Sequence, residues 1–224
     1  MKKFIITTLF INVLISVVAH AEIEKPTILY IGDSHSYGNL GIALEEYLTS
    51  ISKRTIMMAS CGSSAKTWLG LSGNQKTVCG FWKKDGKEEV RTKEFNNPKL
   101  ADELAKNKPS LTIVQLGTNL AVEKNPLIHA ESVRKVMELI SSKQSSCLWI
   151  GPPDANSKVV TRDNLKIVNI MLRSLAEENN CSYIDSLELT QFPETSKEGI
   201  HYPSTLYKKW AENIVLKLFE YNIR

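Results

Sequence analysis

Thr27-Ile28-Leu29-Tyr30-Ile31-Gly32-Asp33-Ser34-His35-Ser36 passes within ten residues from an unbroken apolar run to a cluster of small polar side chains. A continuous run of this length, rich in β-branched and apolar residues, is what a strand buried on both faces looks like. Four more segments read the same way. They are Arg54 to Ala59, Leu111 to Leu116 ending in Gly117, Cys147 to Ile150 ending in Gly151-Pro152-Pro153, and Cys181 to Ile184 ending in Asp185.

Between these strands lie stretches with a helical period. Gly41 to Ile51 carries Ile42, Leu44, Tyr47, Leu48 and Ile51, and Pro98 to Lys106 is a shorter one. Pro126 to Ser142 opens with proline at a plausible first position and sets Val133, Val136, Met137 and Ile140 on one face. Thr161 to Asn179 and Ser204 to Tyr221 complete the series. Strand alternating with helix predicts an α/β chain, a five-stranded parallel sheet inside a three-layer α/β/α sandwich. Ser60 to Asn97, rich in Gly, Ser and Lys, is expected to be a long irregular loop.

The N-terminus addresses the compartment. Lys2 and Lys3, the run Phe4 to Val18 and then Ala19-His20-Ala21 have the layout of a secretory signal peptide. Cleavage is expected after Ala21, leaving residues 22–224 as one domain, secreted or periplasmic. The apolar run is shorter than the ~20 residues a spanning helix needs, so no membrane span is expected after cleavage. The formal net charge of +4 includes Lys2 and Lys3, and the remaining lysines are scattered among acidic residues. That pattern is a solvated mixed surface and gives no reason to expect a nucleic-acid partner. The protein is expected to be a monomer, with no metal and no organic cofactor.

All four cysteines, Cys61, Cys79, Cys147 and Cys181, lie in the exported portion. An even count in an oxidising compartment suggests two disulfides, among three possible pairings. Cys147 and Cys181 both open consecutive strands that a crossover helix would make parallel neighbours. Adjacent strands ~4.8 Å apart suit a disulfide, which leaves Cys61 to Cys79.

The polar cluster after the first strand is where the chemistry is sought, because residues just past the carboxyl ends of α/β strands line the ligand crevice. Ser34 sits there, ahead of a helix whose dipole could favour a developing anion. Ser60-Cys61-Gly62-Ser63 follows the second strand, Leu116-Gly117-Thr118-Asn119 the third, and Glu198-Gly199-Ile200-His201 precedes the last helix. A hydroxyl, a backbone amide, a side-chain amide and an imidazole at one rim would form an acyl-transfer set.

Together these blocks resemble the SGNH hydrolases, the GDSL-type esterase and lipase superfamily, named for Ser, Gly, Asn and His in four blocks. Gly32-Asp33-Ser34 resembles the first block, Gly62 the second, Gly117-Thr118-Asn119 the third and Glu198 to His201 the last. The resemblance implies a flavodoxin-like sandwich, Ser34 as nucleophile and His201 as general base. It also implies an oxyanion hole built from the Ser34 and Gly62 amides and the Asn119 side chain. The chain departs from the family in carrying Glu198 where an aspartate is usual, three residues before the histidine, and Asp185 is the alternative acid. The wording Cys61-Gly62-Ser63-Ser64 also differs from the commoner second block.

His35 is expected to pack or shape the pocket, and His129 to lie on the surface of a helix. Asp33, His35, Trp68 and Trp82 are candidates for substrate contact, the tryptophans because aromatic faces can stack on sugar rings. The expected activity is hydrolysis of small acyl esters, acetyl above all, on a small molecule or on a cell-wall or other glycan. A lysophospholipase or short-chain lipase is the alternative enzyme, and a wall-binding relative that has lost activity the non-enzymatic one.

Overall fold

The computed structural model describes residues 25–193 and 198–221. The leader and its cleavage point lie outside the described residues. In chain order the strands are β1 (Thr27–Gly32), β2 (Arg54–Ser60), β3 (Phe81–Asp85), β4 (Glu88–Thr92), β5 (Leu111–Gln115), β6 (Ser146–Ile150) and β7 (Cys181–Ile184). The helices are α1 (Ser34–Tyr37), α2 (Asn39–Ile51), α3 (Ala65–Trp68), α4 (Leu100–Asn107), α5 (Ala130–Ser142), α6 (Arg162–Glu178), α7 (Ser186–Leu189) and α8 (Ser204–Glu220). Among the described residues, no helix is long and apolar enough to cross a membrane.

One sheet runs in the order β4-β3-β2-β1-β5-β6-β7. Its five members β2, β1, β5, β6 and β7 are the parallel strands expected from the sequence, with β1 at the middle of the sheet. Alternation along β1 feeds both layers at once. Leu29 and Ile31 join the core under α4, α5 and α6, while Ile28 and Tyr30 join the core under α2 and α8. That two-sided burial is why the run carries no polar residue.

Two expectations need correction. The sheet has seven strands, not five, and Ser60 to Asn97 is not a loop throughout: β3 and β4 form an antiparallel hairpin that adds to the β2 edge. The apolar-run criterion fails there because only Phe81 and Trp82 are buried, while Glu88 to Arg91 on the outermost strand are exposed. The two-residue turn between β3 and β4 is Gly86-Lys87, with Gly86 at φ +60°, the conformation a tight hairpin turn requires. Charge along this edge also discourages pairing with another chain. The stretch from Pro126 splits as well, a 3-10 turn over Pro126–His129 preceding α5.

Both disulfides form as the strand geometry predicts. Cys147 and Cys181 face each other in register on β6 and β7, Cα atoms 4.6 Å apart. Cys61 joins Cys79 at 5.3 Å and ties the end of β2 to the approach to β3.

Candidate active site

The end of β1 turns sharply. Asp33 caps α1, its Oδ1 accepting the His35 amide at 3.0 Å. The helix after Ser34 is a single turn of four residues, so it lacks the length to supply the macrodipole expected from the sequence. Ser34 sits at the first position of that turn and is half-buried.

His201 reaches it from 167 residues away: the Ser34 hydroxyl lies 2.9 Å from His201 Nε2. On the other side of the ring, Nδ1 donates to Glu198 Oε1 at 2.5 Å. This hydrogen bond fixes the tautomer, since a proton on Nδ1 leaves Nε2 as the acceptor for the serine. The loop bearing both residues is pinned by the Asn156 amide donating to the Gly199 carbonyl at 2.8 Å. Gly199 is at φ +81°, and a Cβ there would fall 2.4 Å from the Asn156 carbonyl oxygen, so only glycine lets the loop seat this closely. Asp185, the other acid considered, is engaged elsewhere. It caps α7 through the Leu187 amide and takes hydrogen bonds from Asn169 and Arg173.

The second and third blocks converge on the same rim. Ser63 Oγ donates to the Gly32 carbonyl at 3.1 Å, and Asn119 Nδ2 donates to the Ser63 carbonyl at 3.0 Å. One amide hydrogen of Asn119 thus anchors the side chain, and the second remains for another acceptor. Gly62, at φ +76°, is exposed.

Beneath the rim lies a buried polar bundle. His35 is fully buried, with Nδ1 2.9 Å from the Tyr207 hydroxyl and Nε2 3.1 Å from Thr118 Oγ1. Its ring stands edge-on to Trp210 and 5.2 Å from the His201 ring. His35 therefore links the first block, the third block and α8 in one contact set. Burial, with the neighbouring His201, pushes its pKa down to about 3, so the ring is neutral. Asp33 is equally buried, its Oδ2 has no hydrogen-bond partner, and burial pushes its carboxyl up to about 7.

Several expected substrate contacts are corrected. Trp68 and Trp82 are buried, and neither offers a face to a sugar. Trp68 instead donates its indole N–H to Ser63 Oγ at 3.1 Å, bracing the second block from behind. Trp82 donates to Glu89 and lies under the Arg91 guanidinium. Asp33 and His35 are fully buried, below the rim rather than on it. His129 is not a surface residue either: the 3-10 turn carries it inward, where it is buried. The sequence reading missed Ser63, Thr118 and Tyr207. Ser63 and Thr118 lie inside the quoted blocks, and only their side-chain directions were unreadable.

No protein-family model matches the chain, and no curated protein does. Solved structures match it over nearly their whole length. A GDSL-like lipase from Bacteroides thetaiotaomicron aligns over 87% of this chain and 88% of its own, with a TM-score of 0.62 and 11% identity. A psychrotrophic esterase from Pseudoalteromonas, solved with monoethylphosphonate as inhibitor, aligns over 88% and 99%, with a TM-score of 0.61 and 11% identity. A carbohydrate acetylesterase from Sinorhizobium meliloti aligns over 88% and 100%, with a TM-score of 0.59 and 13% identity. Identities this low speak to architecture alone, and the architecture is common to all three: the chain has the fold of these esterases and lipases.

Proposed function

We propose that the protein is an exported serine esterase that hydrolyses small acyl esters. The observation that carries this reading is the chain of contacts from Glu198 through His201 to the Ser34 hydroxyl. A serine hydroxyl is a weak nucleophile until a base takes its proton, and an imidazole held in the correct tautomer is suited to that work.

The steps follow from these positions. Ser34 Oγ forms a bond to the acyl carbon as its proton passes to His201 Nε2. Negative charge gathers on the former carbonyl oxygen, which the Ser34 and Gly62 amides and the free amide hydrogen of Asn119 stabilise. The bond to the alcohol oxygen then breaks, and that oxygen takes the proton from His201. Water repeats the sequence on the acyl-serine: its proton goes to His201, its oxygen to the acyl carbon, and the proton returns to Ser34.

The apolar groove between α2 and α8, about 820 Å³ and lined by Ile42, Tyr47, Val215 and Leu216, has neither Ser34 nor His201 in its lining. A long acyl chain would need such a groove beside Ser34. Acetyl esters of a glycan fit this reading, and one structural neighbour is named as a carbohydrate acetylesterase. Stacking on Trp68 or Trp82 is no part of the case, since both are buried. Two disulfides support an oxidising compartment.

The test is hydrolysis of p-nitrophenyl acetate by the purified protein, with Ser34→Ala beside it, and labelling by a fluorophosphonate mapped by mass spectrometry. Acetate release abolished by Ser34→Ala, with the label on Ser34, is the expected result. No turnover and no label on Ser34 would refute the proposal.

A further inference from the structure

Val78 is an unusual residue for its place. The residue is 79% exposed, yet its backbone is tightly held. The Val78 amide donates to the Cys61 carbonyl at 3.1 Å, the Cys61 amide donates to the Gly80 carbonyl at 2.9 Å, and the Cys61–Cys79 disulfide closes the same clamp. The clamp lays the valine against Gly62: a Cβ on Gly62 would lie 2.5 Å from Val78 Cγ2 and 2.9 Å from its Cβ. A bare apolar side chain on a rigid rim, touching a proposed oxyanion donor, lies within reach of whatever is bound there.

The sheet order says which part of the ester it meets. Ser34 follows the central strand β1. Gly62 and Val78 come from the β2–β3 side, whereas the loop carrying His201 docks through Gly199 onto Asn156, beyond β6 on the other side. The leaving alcohol must lie near His201 Nε2 to receive its proton. The acyl group is then left to the β2–β3 side. We infer that Val78, held against Gly62 by the Cys61–Cys79 clamp, is a specificity-determining residue that contacts the acyl portion of the ester. This rests on the esterase reading and extends it to the choice of acyl group.

The contact is an apolar platform on an open rim. It rewards an acyl chain long enough to cover the valine methyls, so it discriminates butyrate from acetate. One methylene removed from water is worth about fourfold in rate, the equivalent of about 0.8 kcal/mol.

The experiment measures kcat/KM for p-nitrophenyl acetate and p-nitrophenyl butyrate in the native protein, Val78→Ala, Val78→Phe and Val90→Ala. Val90 is an exposed valine on β4 and serves as the control. Val78→Ala is expected to lower the butyrate-to-acetate ratio about fourfold, Val78→Phe to raise it, and Val90→Ala to leave it unchanged. An unchanged ratio in both Val78 variants, with acetate turnover intact, would overturn the inference and leave the esterase reading standing. An equal fall for both esters in Val78→Ala would also overturn it, since Val78 would then be propping Gly62 rather than touching substrate. A native protein that turns over neither ester and takes no fluorophosphonate at Ser34 would sink the esterase reading, and this inference with it.

Discussion

Replacing Asp33 by Asn tests whether the residue before Ser34 is folded in as a neutral acid. Its carboxyl is fully buried, and burial lifts its pKa from 3.8 to about 7. Between those values the unfolded chain gives up a proton that the folded chain keeps. The stability contributed by the neutral form is therefore complete below pH 3.8 and lost as pH rises towards 7, by about 1.4 kcal/mol per pH unit. His35 has the opposite slope. Its folded pKa of about 3 lies below the ordinary 6.5, so the unfolded chain binds the extra proton and stability falls as pH drops from 6.5 towards 3. Over the overlap the two slopes cancel in the native protein. Asn keeps an oxygen for the His35 amide while removing the titration. Its stability relative to the native protein should then rise by about 3 kcal/mol between pH 4 and pH 7, read from urea unfolding at several pH values. A difference that does not change with pH would refute the reasoning, because Asp33 would then ionise in the fold as easily as in the open chain.

Two further substitutions bear on the rim. Glu198→Gln should lower kcat by about 10²-fold or more with little change in KM, since the imidazole loses the carboxylate that orients it and stabilises its charged form; steady-state kinetics with p-nitrophenyl acetate read this directly. Asn119→Ala should lower kcat by about 10²–10³-fold while fluorophosphonate still labels Ser34, separating loss of oxyanion support from loss of the nucleophile.

The parts of the fold legible in the sequence are those where burial is two-sided. β1, β2, β5, β6 and β7 show as apolar runs because helices cover both faces. The β3–β4 hairpin escaped because its outer strand, Glu88 to Thr92, lies at an edge and has no need of apolar residues. The four blocks of the site were legible as residue types in order, and the structure puts His201 within hydrogen-bond distance of both Ser34 and Glu198. Side-chain direction was not legible. An aromatic in a long polar segment says nothing about which way it points, and both Trp68 and Trp82 point inward, where their apolar area is removed from water. His129 turned inward because a 3-10 turn rotates residues differently from the α-helix that was expected.

The position of the Cys147–Cys181 bridge has a consequence for how the molecule ages. Through the strand register it stands level with Leu29 and Thr112, five residues short of Ser34, at the floor of the sheet. The other bridge sits at the mouth, beside Gly62. The sheet is thereby cross-linked at both ends, and only one of the two bridges adjoins the candidate site. Loss of the bridge at the floor would loosen β6 from β7 far from Ser34, whereas loss of the bridge at the mouth would free the segment that lies against Gly62.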